Sequence, residues 1–136
     1  MKFDVLIVGG GPAGLSAALL LGRCLRRVLL CDEGRQRNLS SHAIHGLLGR
    51  EGRSPSDFLD EALKELSRYD LVSVRGTRVT GISPAGEGFK FACADGTSGS
   101  ASKVLLATDW QASKFCTGFP SIIVFTATVS NTRGSR

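Results

Sequence analysis

At 136 residues the chain has room for one domain with a modest core, not for two full domains. A hydrophobic content of 42% with 21% charged residues is ordinary for a soluble globular chain. The net charge of +5 is not gathered in one run and has no interleaved aromatics, so it does not make a nucleic-acid surface.

Phe3 to Val8 is an apolar run too short for a helix and rich in β-branched residues, which predicts a buried strand. Asp4 and the Gly-Gly-Gly-Pro break argue against a signal peptide, and no apolar stretch reaches the roughly 18 residues of a membrane span. Behind the strand, Gly9, Gly11 and Gly14 fill a G-x-G-x-x-G spacing. Leu15, Ala17, Ala18, Leu19, Leu20 and Leu21 then predict a helix. Val28 to Cys31 predicts a second buried strand, ending in Asp32, 18 positions after Gly14. Each part has a physical use. Gly9 permits the tight turn, Gly11 admits a diphosphate close to the backbone, and Gly14 lets the helix pack closely on the strand. The helix start offers unpaired N–H groups to an anion, and Asp32 stands where a carboxylate accepts from a ribose hydroxyl. Strand, glycine turn, helix, strand and acid together predict a dinucleotide site.

Residues 33–46 are predicted to be loop. His42 and His45 lack a suitable third ligand and do not predict a zinc site. Arg23, Arg26, Arg27, Arg35, Arg37, Arg50 and Arg53 gather in the region around the phosphate turn and read as solvated helix ends and loops. Ser54-Pro55-Ser56-Asp57 predicts a helix start, with Ser54 as N-cap, Pro55 in the first position and Asp57 closing a capping-box-like pattern. Phe58, Ala62, Leu66 and Tyr69, widened by Leu59 and Leu63, give it an apolar stripe.

Leu71–Arg75 is predicted as the third parallel strand. Thr77–Ser83 and Phe89–Cys93 are predicted as an antiparallel meander, with turns at residues 84–88 and 94–97. Ser102–Thr108 is a continuous apolar run suited to a buried parallel strand. Residues 109–136 show no clean period, and Ile122–Phe125 is an apolar run with no assignable partner strand. They are expected to form a poorly ordered tail. Cys24, Cys31, Cys93 and Cys116 lie far apart with no C-x-x-C, giving neither a metal-ligand spacing nor a dithiol pair. Reduced thiols in a cytoplasmic protein are expected.

VLIVGGGPAGLSAALLLGR, VLLCDEGRQRN, HAIHGLLGREG, SPSDFLDEALKELSRY and SKVLLAT resemble the amino-terminal FAD half of thioredoxin reductase-like flavoproteins, the pyridine nucleotide-disulfide oxidoreductases. The resemblance covers residues 3–108, about four fifths of the chain. It implies an α/β fold: a Rossmann-like FAD/NAD(P)-binding ββα sandwich with a parallel sheet and a small antiparallel β-meander. By position it places Gly9, Gly11, Pro12, Ala13 and Gly14 at the FAD pyrophosphate and Asp32 at the adenosine ribose, with Glu33 the next acid along. Arg37, Asn38 and His45 fall in the loop that approaches the flavin side. Val79 matches a backbone contact to adenine, and Ala107 and Thr108 match the first two residues of an A-T-G turn that closes over FAD.

The third residue of that turn is Asp109 in place of glycine. After it the family's NADPH domain, its C-x-x-C and its last FAD segment have no counterpart here, so the resemblance reads as truncated after residue 108. The implied function is the FAD-binding portion of a thioredoxin reductase-like NAD(P)H-dependent oxidoreductase, with NADPH used only by a full-length relative. No residue is a credible acid, base or nucleophile. An inactive nucleotide-binding module and an NAD-binding dehydrogenase domain are the alternatives. The expected partner is FAD, a homodimer is left open, and neither nucleic acid nor membrane is expected.

Overall fold

The computed structural model describes residues 1–34, 43–108 and 122–124. The described elements run β1 (Lys2–Val8), α1 (Pro12–Arg23), β2 (Val28–Cys31), α2 (Pro55–Leu66), β3 (Val72–Arg75), β4 (Val79–Ala85), β5 (Gly88–Cys93), β6 (Ser98–Leu106) and β7 (Ile122–Val124). They form one mixed sheet in the order β3-β2-β1-β6-β5-β4, with β7 also on β6. The pairs β2–β3, β1–β2 and β1–β6 are parallel, whereas β4–β5 and β5–β6 are antiparallel.

The alternation along β1 explains the layering. Val5 and Ile7 face a cluster with Leu15 and Ala18 of α1, Phe58 and Leu66 of α2, and Val28 and Leu30 of β2. Leu6 and Val8 face the other way, onto Leu29, Cys31, Val79, Phe89, Phe91 and Cys93. Helices cover one face of the parallel sheet and the meander covers the other, so these strands read as continuous apolar runs. Leu6, Ile7, Leu29, Leu30 and Leu106 are fully buried, and each contributes about 1.5–3 kcal/mol relative to exposure. The expected three-layer α/β sandwich is the fold.

Three sequence expectations need correction. Pro84 and Ala85 do not lie in a turn; they continue β4, opposite Phe89 and Gly88. β4 is the outermost strand of the path, where proline costs no ladder bond on the open side. The strand expected over Ser102–Thr108 is longer and begins at Ser98. Its residues Ser98–Ala101 pair antiparallel with β5 while Ser100–Leu106 runs parallel to β1, so one strand belongs to both layers. Ile122–Val124 does have a partner: it pairs parallel with Val104–Leu106. The remainder of 109–136 lies outside the described residues.

Candidate dinucleotide-binding site

β1, β2 and β6 all end at one edge of the sheet, and their ladders run one residue past the strands. The Gly9 amide donates to Cys31 O (2.8 Å), the Asp32 amide to Arg75 O (3.1 Å) and the Ala107 amide to Val8 O (2.8 Å). Gly9, Asp32 and Ala107 therefore stand side by side. From β1 the chain crosses to β2 on one side, while β6 flanks β1 on the other. A crevice at such a switch point is where open α/β sheets take ligands.

The glycine turn fits that edge with little slack. Gly9 has φ +109°, and a Cβ there would meet Ala107 O at 2.7 Å, so both conformation and space demand glycine. A Cβ on Gly14 would collide with the Gly9 carbonyl oxygen, which brings the first turn of α1 onto the end of β1. Gly11 differs: its φ is −72° and a Cβ would meet nothing within 4 Å. The backbone at Gly11 faces open space beside a helix start.

That helix start is prepared for an anion. Gly11 is the N-cap of α1 and gives no side-chain hydrogen bond, Pro12 takes the first position, and no acid occupies the first turn. At α2, by contrast, Ser54 accepts from the Asp57 amide (3.5 Å) and Asp57 sits in the first turn. One helix caps itself; the other leaves its first-turn donors and positive dipole end to something else.

Asp32 closes the opposite side. A Cβ on Gly10 would lie 2.8–2.9 Å from the Asp32 Cβ, Cγ and Oδ2 atoms, so the carboxylate rests on the turn itself. Gly10 was missed by the G-x-G-x-x-G spacing; the third consecutive glycine was its only signal. Glu33 follows, exposed. Ala107 and Thr108 border Gly9, and the Thr108 Oγ1 is buried with no hydrogen-bond partner among the described residues. An orphaned hydroxyl at that place fits a bound polar group.

Val79 is buried at the start of β4, opposite Cys93, whose sulfur lies 3.9 Å from that of Cys31 beside Asp32. His45 stands apart: its Nδ1 lies 2.7 Å from Glu51 Oε1 on the surface, and Glu51 also accepts from the Gly46 amide. The His45 contact, followed by that amide, holds the Glu51 carboxyl below its ordinary pKa. Arg37, Asn38 and His42 lie outside the described residues. Arg23 is at the far end of α1 from Gly11, while Arg50 and Arg53 bind Glu61 at 2.7 and 2.8 Å. Glu61 of α2 thus holds Arg50 and Arg53, and Arg50 also lines a cavity with Leu15 and Ser16 of α1. Among the described residues no three His, Cys, Asp or Glu side chains form a metal cluster, and no helix is long and apolar enough to cross a membrane.

A doubly covered parallel sheet with a glycine turn at its switch point defines a Rossmann-like α/β protein. Residues 3–133 match the family model described as "Pyridine nucleotide-disulphide oxidoreductase", and the chain belongs to that family. The matched region extends beyond the residue-108 limit expected from the sequence. An Arthroderma benhamiae protein named "Probable thioredoxin reductase" is 40% identical over 113 residues, covering 79% of this chain and 28% of its own length. A Gibberella zeae thioredoxin reductase is 38% identical, with 77% and 34% covered. The crystal structure of an Agrobacterium tumefaciens oxidoreductase superposes with a TM-score of 0.75 at 38% identity, over 80% of this chain and 37% of that one. The chain therefore spans about a third of the length of these three proteins.

Proposed function

We propose that this chain binds the ADP half of FAD at the glycine turn and forms the FAD-binding portion of a thioredoxin reductase-like NAD(P)H-dependent oxidoreductase. The observation that carries the reading is the open space at Gly11 beside an uncapped helix start, with the Asp32 carboxylate held against the same turn. In this reading Gly9, Gly11, Pro12, Ala13 and Gly14 take the pyrophosphate, and the amides of the first turn of α1 donate to it. Asp32 accepts from a ribose hydroxyl, with Glu33 as its exposed neighbour. The Val79 backbone meets adenine, and Ala107 with Thr108 closes over the cofactor, the orphaned Thr108 hydroxyl gaining a partner. Arg37, Asn38 and His45 are assigned to the flavin side. Once bound, the flavin would supply hydride and electron-transfer chemistry, with NADPH as donor only in a full-length relative. This chain's residues bind and orient it, and none is assigned an acid–base or nucleophilic step.

The test is a calorimetric titration of the purified chain with FAD, ADP and NAD. FAD and ADP should bind, Gly11→Val should abolish binding, and Asp32→Ala should weaken it by about 1.5–3 kcal/mol. Equal affinity in wild type and both variants, or a preference for NAD over FAD, overturns the reading.

A further inference from the structure

Cys31 and Cys93 are 62 positions apart in sequence, yet their sulfurs lie 3.9 Å apart. Cys31 is the last residue of β2 in the parallel sheet, and Cys93 is the last residue of β5 in the meander. Their side chains enter the apolar layer between the two from opposite sides, only 1% and 6% exposed. Arg75, at the end of β3, reaches Thr97 Oγ1 at 3.3 Å and Asp95 Oδ2 at 4.0 Å. That bridge ties the end of β3 to the turn following Cys93. Neither sulfur takes part in the dinucleotide site.

We infer that Cys31 and Cys93 form a buried dithiol which a small peroxide oxidises to an intramolecular disulfide joining β2 to β5. Burial pushes the Cys31 thiol up to about 12 and raises Cys93 as well, so both are protonated at neutral pH and oxidation is slow. Cys93 is the more exposed of the two, 6% against 1%, which makes it the sulfur that a peroxide reaches first. The Cys93 thiolate attacks the peroxide, the O–O bond breaks, and a sulfenic acid forms as hydroxide leaves and is protonated to water. The Cys31 sulfur then attacks the Cys93 sulfur. The S–S bond forms, the S–O bond breaks, and the hydroxyl leaves with the Cys31 proton as a second water. Two thiols lose two electrons, one peroxide gains them, and two waters result.

The sulfurs must close from 3.9 Å to about 2.05 Å, which asks the two strand ends to approach. Both cysteines are terminal residues of their strands, so the shift falls at element ends and leaves the strand centres in place. The bond would close a loop of some sixty residues, a long constraint on the unfolded chain.

The experiment uses the full, fully reduced chain. It is treated with hydrogen peroxide, alkylated in denaturant, digested without reductant and mapped by mass spectrometry. The expected result is a linked Cys31–Cys93 peptide pair, two hydrogens lighter than its parts and separated by dithiothreitol. The midpoint of thermal unfolding should rise by roughly 10 °C. Exposed Cys24 is the internal control for reagent access. Recovery of Cys31 and Cys93 as alkylated thiols or sulfinic acids, once Cys24 has reacted, overturns the inference. So does a thermal shift that persists in Cys93→Ser. This readout does not depend on FAD, so its failure would leave the dinucleotide reading untouched.

Discussion

Four neighbouring glycines do different work, and substitution separates their roles. A methyl group at Gly14 meets the Gly9 carbonyl oxygen, a backbone atom that cannot rotate away. Gly14→Ala should therefore destabilise the fold by about 1–3 kcal/mol, read as a lower midpoint in thermal unfolding. Gly11→Val puts its side chain into open space and should leave that midpoint nearly unchanged. Equal loss of stability in both variants would show that the turn is a packing feature throughout. Cys31 gives a second test at this scale. Its thiol titrates near 9.0 in an ordinary setting and is pushed up to about 12 by burial, with the Cys93 sulfur adding to the effect. Between those values the unfolded chain has lost the proton and the folded chain keeps it, so stability is full below pH 9 and falls as pH rises towards 12. The unfolding midpoint should decline above pH 9, and Cys31→Ala should flatten that decline. A wild-type midpoint constant from pH 8 to 11 would contradict it.

Elements were legible where local chemistry alone decides them. Val28–Cys31 was read to the residue, and the Ser54-Pro55 start of α2 was visible because an N-cap and a first-position proline are local signals. The start of β6 is not legible because Ser98–Ala101 is small and polar; pairing with β5, and of Ser100 and Ala101 with β1, makes it strand. The partner of β7 is not legible because three apolar residues in a stretch without periodicity carry no address. Their partners, Val104–Leu106, are 18 positions away and already engaged by β1 on the other side. The site divided in the same way. Gly9, Gly11, Gly14 and Asp32 announce themselves by spacing, whereas Gly10 beside Asp32 and the meeting of Cys31 with Cys93 exist only in three dimensions. Deletion of residues 109–136 removes β7 and bares the Val104–Leu106 edge. A loss of about 1–3 kcal/mol with added aggregation is expected, measured by thermal unfolding and light scattering. Ile123→Pro in the full chain should reproduce part of the loss, because proline cannot donate to the ladder. If the shortened chain keeps the parent midpoint, β7 contributes nothing to the fold.

At the scale of the molecule, two apolar layers share one central sheet, and β6 is common to both. Lys103 pairs with Val5 and Val104 with Leu6 in the parallel sheet, while Phe89 opposite Ala101 begins the meander on the same strand. Cys31 and Cys93 meet across the layer that this sharing encloses. A strand so placed cannot leave one layer without dismantling the other. The consequence is cooperativity: sheet and meander have no separate melting transitions, although their sequences are separate and their strand directions differ. Calorimetry should give one peak whose van't Hoff and calorimetric enthalpies agree. Two resolved peaks would mean that β6 binds the meander too weakly to transmit its unfolding. With one peak, any ligand that steadies the glycine turn also steadies Phe89 and Phe91 at the opposite side of the sheet, since all of them melt together.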